Sequence, residues 1–349
     1  MTAYFITILL VIVFGIYAES HVYERLNKNG EWTLFVPKRF LIPLVILFCV
    51  IGGLRFGIGM DFYNYYIGFK AEWAEILLRL TTFEEPLIYA VTKLSRQIWD
   101  NNQFVIFVEN AIIVLLLFKA FYEFKEHEYI MPLLLYMFYG GWLFSFNGVR
   151  QAIAVMIVFA FSNDKGKYPL VKYVIAVSVA SLFHKSALLM LPILFFSRRK
   201  IDGRQVLLMI GIGYAISSFG GVFYSYMNAT EEAVGLYATS SINILRVLVT
   251  IIPVVFIALF WLSGDQEFLH DNRITVNMTI VNMIICICTR NSPYMNRMSY
   301  YTVIYSIFLI PKFKRILGNS EMLYNFVTAV LFFVFFLYEA RGYSYVWCL

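Results

Sequence analysis

Apolar residues gather along the chain in long runs separated by short polar stretches, at 4–18, 40–54, 103–121, 130–146, 149–161, 170–183, 187–196, 206–219, 245–262, 274–288, 299–311 and 322–338. A helix rises 1.5 Å per residue and a bilayer's hydrocarbon core is about 30 Å thick, so one crossing takes about 20 apolar residues. Several runs are short for a crossing. Twelve crossings would still absorb roughly 240 residues, leaving no room for a folded soluble domain. The pattern predicts an all-α polytopic membrane protein with about twelve transmembrane helices. The whole chain, 1–349, then forms a single transmembrane domain with one long loop near 55–102. The first run lacks a basic start and a small-residue cleavage site, which argues against a cleaved signal peptide.

Composition agrees. Of the 349 residues, 60% are hydrophobic and 14% charged, against roughly a quarter charged in a soluble domain. That excludes a soluble enzyme, a disordered chain and a secreted disulfide scaffold. When alternate loops are assigned to opposite sides, most of the 28 Lys and Arg fall on one side, in clusters such as Arg198-Arg199-Lys200 and Lys312-Lys314-Arg315. Positive loops stay cytoplasmic, so both termini face outward. The net charge of +6 is mostly this topology signal, and no nucleic-acid partner is expected. Cys49, Cys286 and Cys288 lie in apolar runs, Cys348 has no obvious partner, and no zinc-type ligand set accompanies them.

The residues left on the outward side are few. Run 40–54 ends in Gly52-Gly53-Leu54-Arg55-Phe56-Gly57-Ile58-Gly59-Met60-Asp61, whose glycines are expected to bend the chain and bring Arg55 near Asp61. A simple interfacial salt bridge is the plainer alternative. Arg150 falls in the first turn of a helix that starts after the hairpin Asn147-Gly148. A cation there opposes the helix dipole, so an anion is expected beside it; snorkelling to lipid headgroups is the alternative. His184 is the one outward histidine, and Ser186 is placed to cap the next helix. Arg290 and Arg297 lie between runs 274–288 and 299–311. Glu109 is expensive to bury; an interhelical hydrogen bond is its plain explanation, as it is for Asn277 and Asn282. Trp73, Tyr89, Trp99, Tyr224, Tyr226 and Tyr237 suit either an interfacial belt or stacking on sugar rings.

Taken together these residues resemble a known family. Gly53-Leu54-Arg55-Phe56-Gly57-Ile58-Gly59-Met60-Asp61-Phe62-Tyr63-Asn64-Tyr65-Tyr66, Val149-Arg150-Gln151-Ala152-Ile153-Ala154, Phe183-His184-Lys185-Ser186-Ala187-Leu188, and Arg297 with Tyr301 look like the successive signatures of the EpsG family. Its members are Wzy-type polysaccharide polymerases of bacterial envelopes. The resemblance implies a GT-C-like glycosyltransferase in the bacterial inner membrane, acting at its outer face. The reaction implied polymerises undecaprenyl-diphosphate-linked repeat units into O-antigen, capsule or exopolysaccharide. It implies lipid-linked donor and acceptor as partners, with a flippase and a chain-length regulator of the same pathway beside them.

The residues suit that chemistry. Breaking a glycosyl-phosphate bond builds negative charge on a lipid diphosphate, which must be stabilised. The chain has no Asp-x-Asp to hold a metal, so no metal or other cofactor is expected, and arginine forks take the metal's place. Arg55, Arg150 and Arg297 are the expected clamp, with Gln151, Arg290 and the tyrosines Tyr63, Tyr66 and Tyr301 as further substrate contacts. Asp61 and His184 compete for the role of general base, Asp61 somewhat favoured by its place on the first outward loop, His184 by its ordinary pKa. No second outward carboxylate is obviously placed as a nucleophile, so inversion is expected. A lipid-linked oligosaccharide flippase or an O-antigen ligase is the rival reading. Ionisable residues clustered at one surface, without a repeat between the halves, favour surface chemistry over passage.

Overall fold

The computed structural model describes residues 2–26, 32–59, 61–68, 72–163, 167–218, 241–343 and 345–347. Tyr224, Tyr226, Tyr237 and Cys348 lie outside them. Every apolar run proves to be helical. In chain order the helices are α1 (Thr2–Glu19), α2 (Lys38–Gly53), α3 (Phe62–Gly68), α4 (Trp73–Thr81), α5 (Pro86–Ile98), α6 (Asn102–Phe124), α7 (Ile130–Phe138), α8 (Gly141–Asn147), α9 (Val149–Ser162), α10 (Pro169–Ser181), α11 (Met190–Ser197), α12 (Gly203–Ser218), α13 (Ile244–Leu262), α14 (Gln266–Asp271), α15 (Arg273–Cys288), α16 (Pro293–Asn296), α17 (Tyr300–Leu309) and α18 (Glu321–Glu339). Two antiparallel ribbons complete the described structure, β1 (Tyr23–Leu26) with β2 (Trp32–Phe35) and β3 (Arg55–Phe56) with β4 (Val346–Trp347).

Four of these helices, α1, α6, α13 and a final one running through to Gly342, are long and apolar enough to cross a membrane. A fifth crossing arises if α7 and α8, bent by 49° where Gly140 takes a φ of 95°, count as one. The others are shorter. The 14 residues of α9 reach only about 21 Å, and most of them are buried inside the protein. The long helices instead turn apolar surface outward: α1 exposes Phe5, Ile6 and Leu9, and α18 exposes Met322, Leu323 and Phe326. Contiguous apolar surface on single helices suits lipid and not water. The protein is an all-α membrane protein. The stretch read as a long loop holds α3, α4 and α5.

The chain divides into two compact units, Met1–Leu188 with Phe336–Leu349, and Leu189–Phe335. In the first, α2, α6 and α9 form the centre. Asn101 caps α6 by accepting from the N–H groups of Gln103 and Phe104. The helix ends where Lys125 turns left-handed, with a φ of 57°. Gly52 and Gly53 do not bend the chain. They lie within α2, where a Cβ would meet Asn110 at 2.1 Å and Phe107 at 2.5 Å, so their role is close approach to α6. Asn110 uses that proximity, donating to the carbonyls of Phe48 at 3.0 Å and Cys49 at 3.2 Å. Near the chain's end, Tyr4 donates to the carbonyl of Tyr343 and packs edge-on against Trp142, Phe336 and Tyr345.

In the second unit, buried uncharged polar contacts join apolar helices. Thr279 on α15 meets Ser306 on α17 at 2.9 Å. Thr302 donates to Asn282 at 3.3 Å. Asn277 donates to the carbonyls of Ser197 and Arg199 and accepts from Gln205 at 3.0 Å. Asn277 and Asn282 thus do join segments, as expected of buried amides in a membrane protein.

Candidate functional site

Most of the residues singled out in the sequence fall in the first unit, and several meet there. Past α2 the backbone runs through β3 into a turn in which Gly59 takes a φ of 94° and approaches the α8–α9 hairpin. A Cβ at Gly59 would stand 3.0 Å from the carbonyl oxygen of Phe146, in a backbone conformation that favours glycine. That approach lets the backbone N–H of Asp61 donate to the Asn147 side chain at 3.1 Å. Asp61, partly buried, is therefore tied to the hairpin that carries Arg150. Tyr65, one turn further along α3, hydrogen-bonds Arg150 and feels the charge of Asp61. Burial pushes the Tyr65 phenol above its ordinary pKa.

Arg150 begins α9, and the anion expected beside it is supplied by the protein. Its Nη1 donates to Glu85 Oε2 at 2.7 Å. Glu85 is held in an unusual way. It stands just before Pro86, the first residue of α5, and proline disfavours the right-handed helical region for its predecessor. Glu85 takes the left-handed region instead, with φ 55° and ψ 53°, a conformation that costs a side-chain-bearing residue about 1 kcal/mol. The turn delivers its carboxylate to two other elements. Oε2 receives Arg150, while Oε1 accepts from the backbone N–H of Lys185 at 3.1 Å and lies 3.9 Å from His184 Nδ1. Leu87 N–H donates to the carbonyl of Leu182, fixing α5 to the end of α10.

Ser186 does not cap a helix. Residues Lys185–Leu189 form a 3-10 turn, α11 starts without a side-chain cap, and the Ser186 hydroxyl lies 2.7 Å from His184 Nδ1. Arg55, Glu109 and Arg150 form the deeper part of the cluster. Arg55 is 2% exposed; its Nη1 donates to the carbonyl of Gly52 and its guanidinium lies 4.8 Å from the Phe146 ring centre. Burial lowers its pKa from the ordinary guanidinium range to about 10, with Glu109 opposing the fall, so it stays protonated at neutral pH. Glu109 is wholly buried within electrostatic reach of Arg55 and Arg150. Among the described residues neither of its oxygens has a hydrogen-bond partner, so the interhelical hydrogen bond does not explain it.

The Arg55 strand is held from two sides. Gln103 at the start of α6 donates to the carbonyls of Gly53 at 2.6 Å and Arg55 at 3.0 Å. The end of the chain folds back so that Trp347 pairs with Arg55 and Tyr345 donates to the carbonyl of Ile51.

Gln151 is buried beside Arg150 in α9. Tyr63 is exposed and Tyr66 half-buried, both edge-on to Phe56. Arg290, Arg297 and Tyr301 belong to the second unit, where Arg290 is exposed, Arg297 lies 5.7 Å from the Tyr294 ring centre and Tyr301 is buried. The sequence reading missed Glu85, Tyr65 and Asn147. The one available signal was a Glu before a Pro at a helix start, which ordinarily marks only a helix N-terminus.

In the described part of the first unit, an arginine at a helix start thus stands among two carboxylates, a phenol and an imidazole, a charge-rich polar group in an apolar protein. Compared with known proteins, the chain matches the family model described as the EpsG family over residues 38–347. No curated protein and no solved structure matches the chain.

Proposed function

The chain belongs to the EpsG family, a family of Wzy-type exopolysaccharide polymerases, and from that premise we propose that it joins undecaprenyl-diphosphate-linked repeat units into a polysaccharide at the outer face of the bacterial inner membrane. The acceptor's sugar hydroxyl attacks the anomeric carbon of the donor. The bond to the diphosphate breaks, and its electron pair stays on the departing lipid diphosphate. The hydroxyl's proton passes to a base, for which Asp61 and His184 are the two residues available.

The observation that carries this reading is the setting of Arg150. A charged guanidinium stands at a helix N-terminus with its side chain 36% exposed, held by Glu85 at 2.7 Å and by a hydrogen bond with Tyr65. Arg150 is the contact to the diphosphate. Arg55, sealed beneath Phe146, acts through its charge and through Glu109, which together set the electrostatics behind Arg150. Tyr63 and Tyr66 offer ring faces and hydroxyls to the sugars. No metal enters this scheme.

The test uses purified protein in lipid and defined undecaprenyl-diphosphate repeat units, with and without a metal chelator. The expected product is a ladder of polymer in both cases. No product longer than the input unit would refute the polymerase reading, and loss of the ladder on chelation would refute the metal-free step. In cells, a deletion strain should carry single repeat units on its surface, whereas accumulated full-length lipid-linked polymer would identify a ligase.

A further inference from the structure

The second unit carries an apolar groove of its own. It runs between α12 and α13, which each pack against α15, and its volume is about 680 Å³, within the usual range for a small-molecule pocket. Leu207 and Ile210 form one wall, Ala258 and Trp261 the other, and Ile280 and Ile284 the floor. Because α13 is long and apolar enough to cross a membrane, a groove along it meets hydrocarbon chains and not water. Ile201, Asp202, Gly203, Trp261 and Leu269 line one end. Trp261 and Leu262 are the last residues of α13, which puts that end at the membrane surface, the usual level for a tryptophan.

The same end is basic. Lys200 and Arg204 flank the wall residues Ile201, Asp202 and Gly203, and Arg199 precedes them. All three cations are exposed, and among the described residues none is in an ion pair. Their segment is pinned to the helix that floors the groove. Asn277 of α15 donates to the carbonyls of Ser197 at 2.9 Å and Arg199 at 3.0 Å, while Gln205 donates to Asn277 at 3.0 Å and to the Phe196 carbonyl at 2.8 Å. Asp202, the charged residue of the wall, is turned to its own helix, its Oδ1 accepting the Gln205 backbone N–H at 2.7 Å. An apolar groove that ends beside three unpaired cations matches a molecule with a hydrocarbon tail and an anionic head. We propose that the groove binds an anionic phospholipid, with one acyl chain lying between α12 and α13 and the phosphate held by Arg199, Lys200 and Arg204. Each cation near a membrane surface favours an anionic lipid about fivefold; a zwitterionic headgroup brings a cation of its own and gains little. The lipid fills the space that separates two helices of the unit.

The test places the full chain in bilayer discs of phosphatidylcholine and replaces a rising fraction of the lipid with phosphatidylglycerol whose acyl chains are brominated, which quenches nearby tryptophan. Subtracting the signal of the same protein with Trp261→Phe isolates Trp261 on the groove wall. A parallel series uses brominated phosphatidylcholine. Trp261 should be half-quenched at a phosphatidylglycerol fraction at least about fivefold below the phosphatidylcholine fraction that does the same. Changing Arg199, Lys200 and Arg204 together to Gln should bring the two fractions to the same value. Lys200→Gln and Arg204→Gln, each a single change at an exposed position, should narrow the gap part of the way and keep the test readable if the triple variant misfolds. Ala258→Phe fills the groove from an exposed position of α13 and should weaken quenching by the anionic lipid. Equal half-quenching by both lipids in wild type overturns the proposal, leaving a groove that takes any surrounding lipid. A preference that survives loss of the three cations overturns the assignment of the headgroup site. No quenching of Trp261 by either lipid shows that something other than lipid occupies the groove and overturns the proposal as well.

Discussion

The two units bury polar side chains differently. In the first, the fully buried ones include two ionisable groups, Arg55 and Glu109, beside the half-buried pair Arg150 and Glu85; among the described residues of the second, the fully buried polar side chains are all uncharged. In the second, the helices α15 and α17 meet through neutral groups, Thr279 with Ser306 and Thr302 with Asn282. Neutral pairs suffice to join helices in an apolar setting, at about 1 kcal/mol each. Charges cost several kcal/mol apiece to remove from water and are poor glue. Their concentration in one unit therefore indicates work other than holding helices together, and Glu109 makes the point most plainly, since hydrogen bonding does not account for it.

Substitutions can break this contrast. The largest stability effect is expected from Glu109→Ala, which opens a cavity at a fully buried position and removes the carboxyl whose field opposes the burial penalty on Arg55. Truncating a buried side chain to alanine costs about 2–5 kcal/mol, readable as a lowered thermal midpoint in detergent. If Glu109→Ala melts like wild type, the charges are not coupled as described. Deleting residues 343–349 comes next. It removes the β4 pairing with Arg55, the Tyr345 bond to Ile51 and the carbonyl that receives Tyr4. Polymerisation should drop at least about tenfold, because the strand carrying Arg55 is loosened while the long helices are untouched; an untagged truncation with full activity would show that the tail is dispensable.

Asn277→Ala should cost about 1–3 kcal/mol, the price of leaving the Ser197 and Arg199 carbonyls without their donor, with specific activity of the folded fraction unchanged. The smallest effect is expected from the double change Thr279→Val with Ser306→Ala. Replacing both partners of a neutral pair is close to neutral, so stability should move by less than about 1 kcal/mol and activity not at all. A large activity loss here would mean that the second unit's polar contacts serve the reaction too.

Some of this was legible in the sequence and some was not, for physical reasons. The apolar runs marked every long helix, because lipid demands apolar surface along its whole depth. The cost of burying Glu109 flagged it at once, yet its relation to Arg55 and Arg150 depends on helix packing. Glycines at 52 and 53 read as a bend and are a packing contact, since the same residue serves both. Ser186 read as a cap because its spacing suits one; the chain instead makes a 3-10 turn and gives the hydroxyl to His184. Glu85 was invisible. Its importance comes from a left-handed turn that carries its carboxylate to residues 65 and 100 positions away, and nothing local to Glu84-Glu85-Pro86 encodes the destination.

The role proposed for Arg150 is to grip the diphosphate through its planar fork. The direct measurement is the polymer ladder formed from lipid-linked repeat units by purified Arg150→Lys beside wild type, at equal folded protein and matched thermal midpoint. Lysine keeps the charge and the ion pair with Glu85 but loses the fork, and turnover should fall about 100-fold. A ladder equal to wild type in length and amount would contradict the claim.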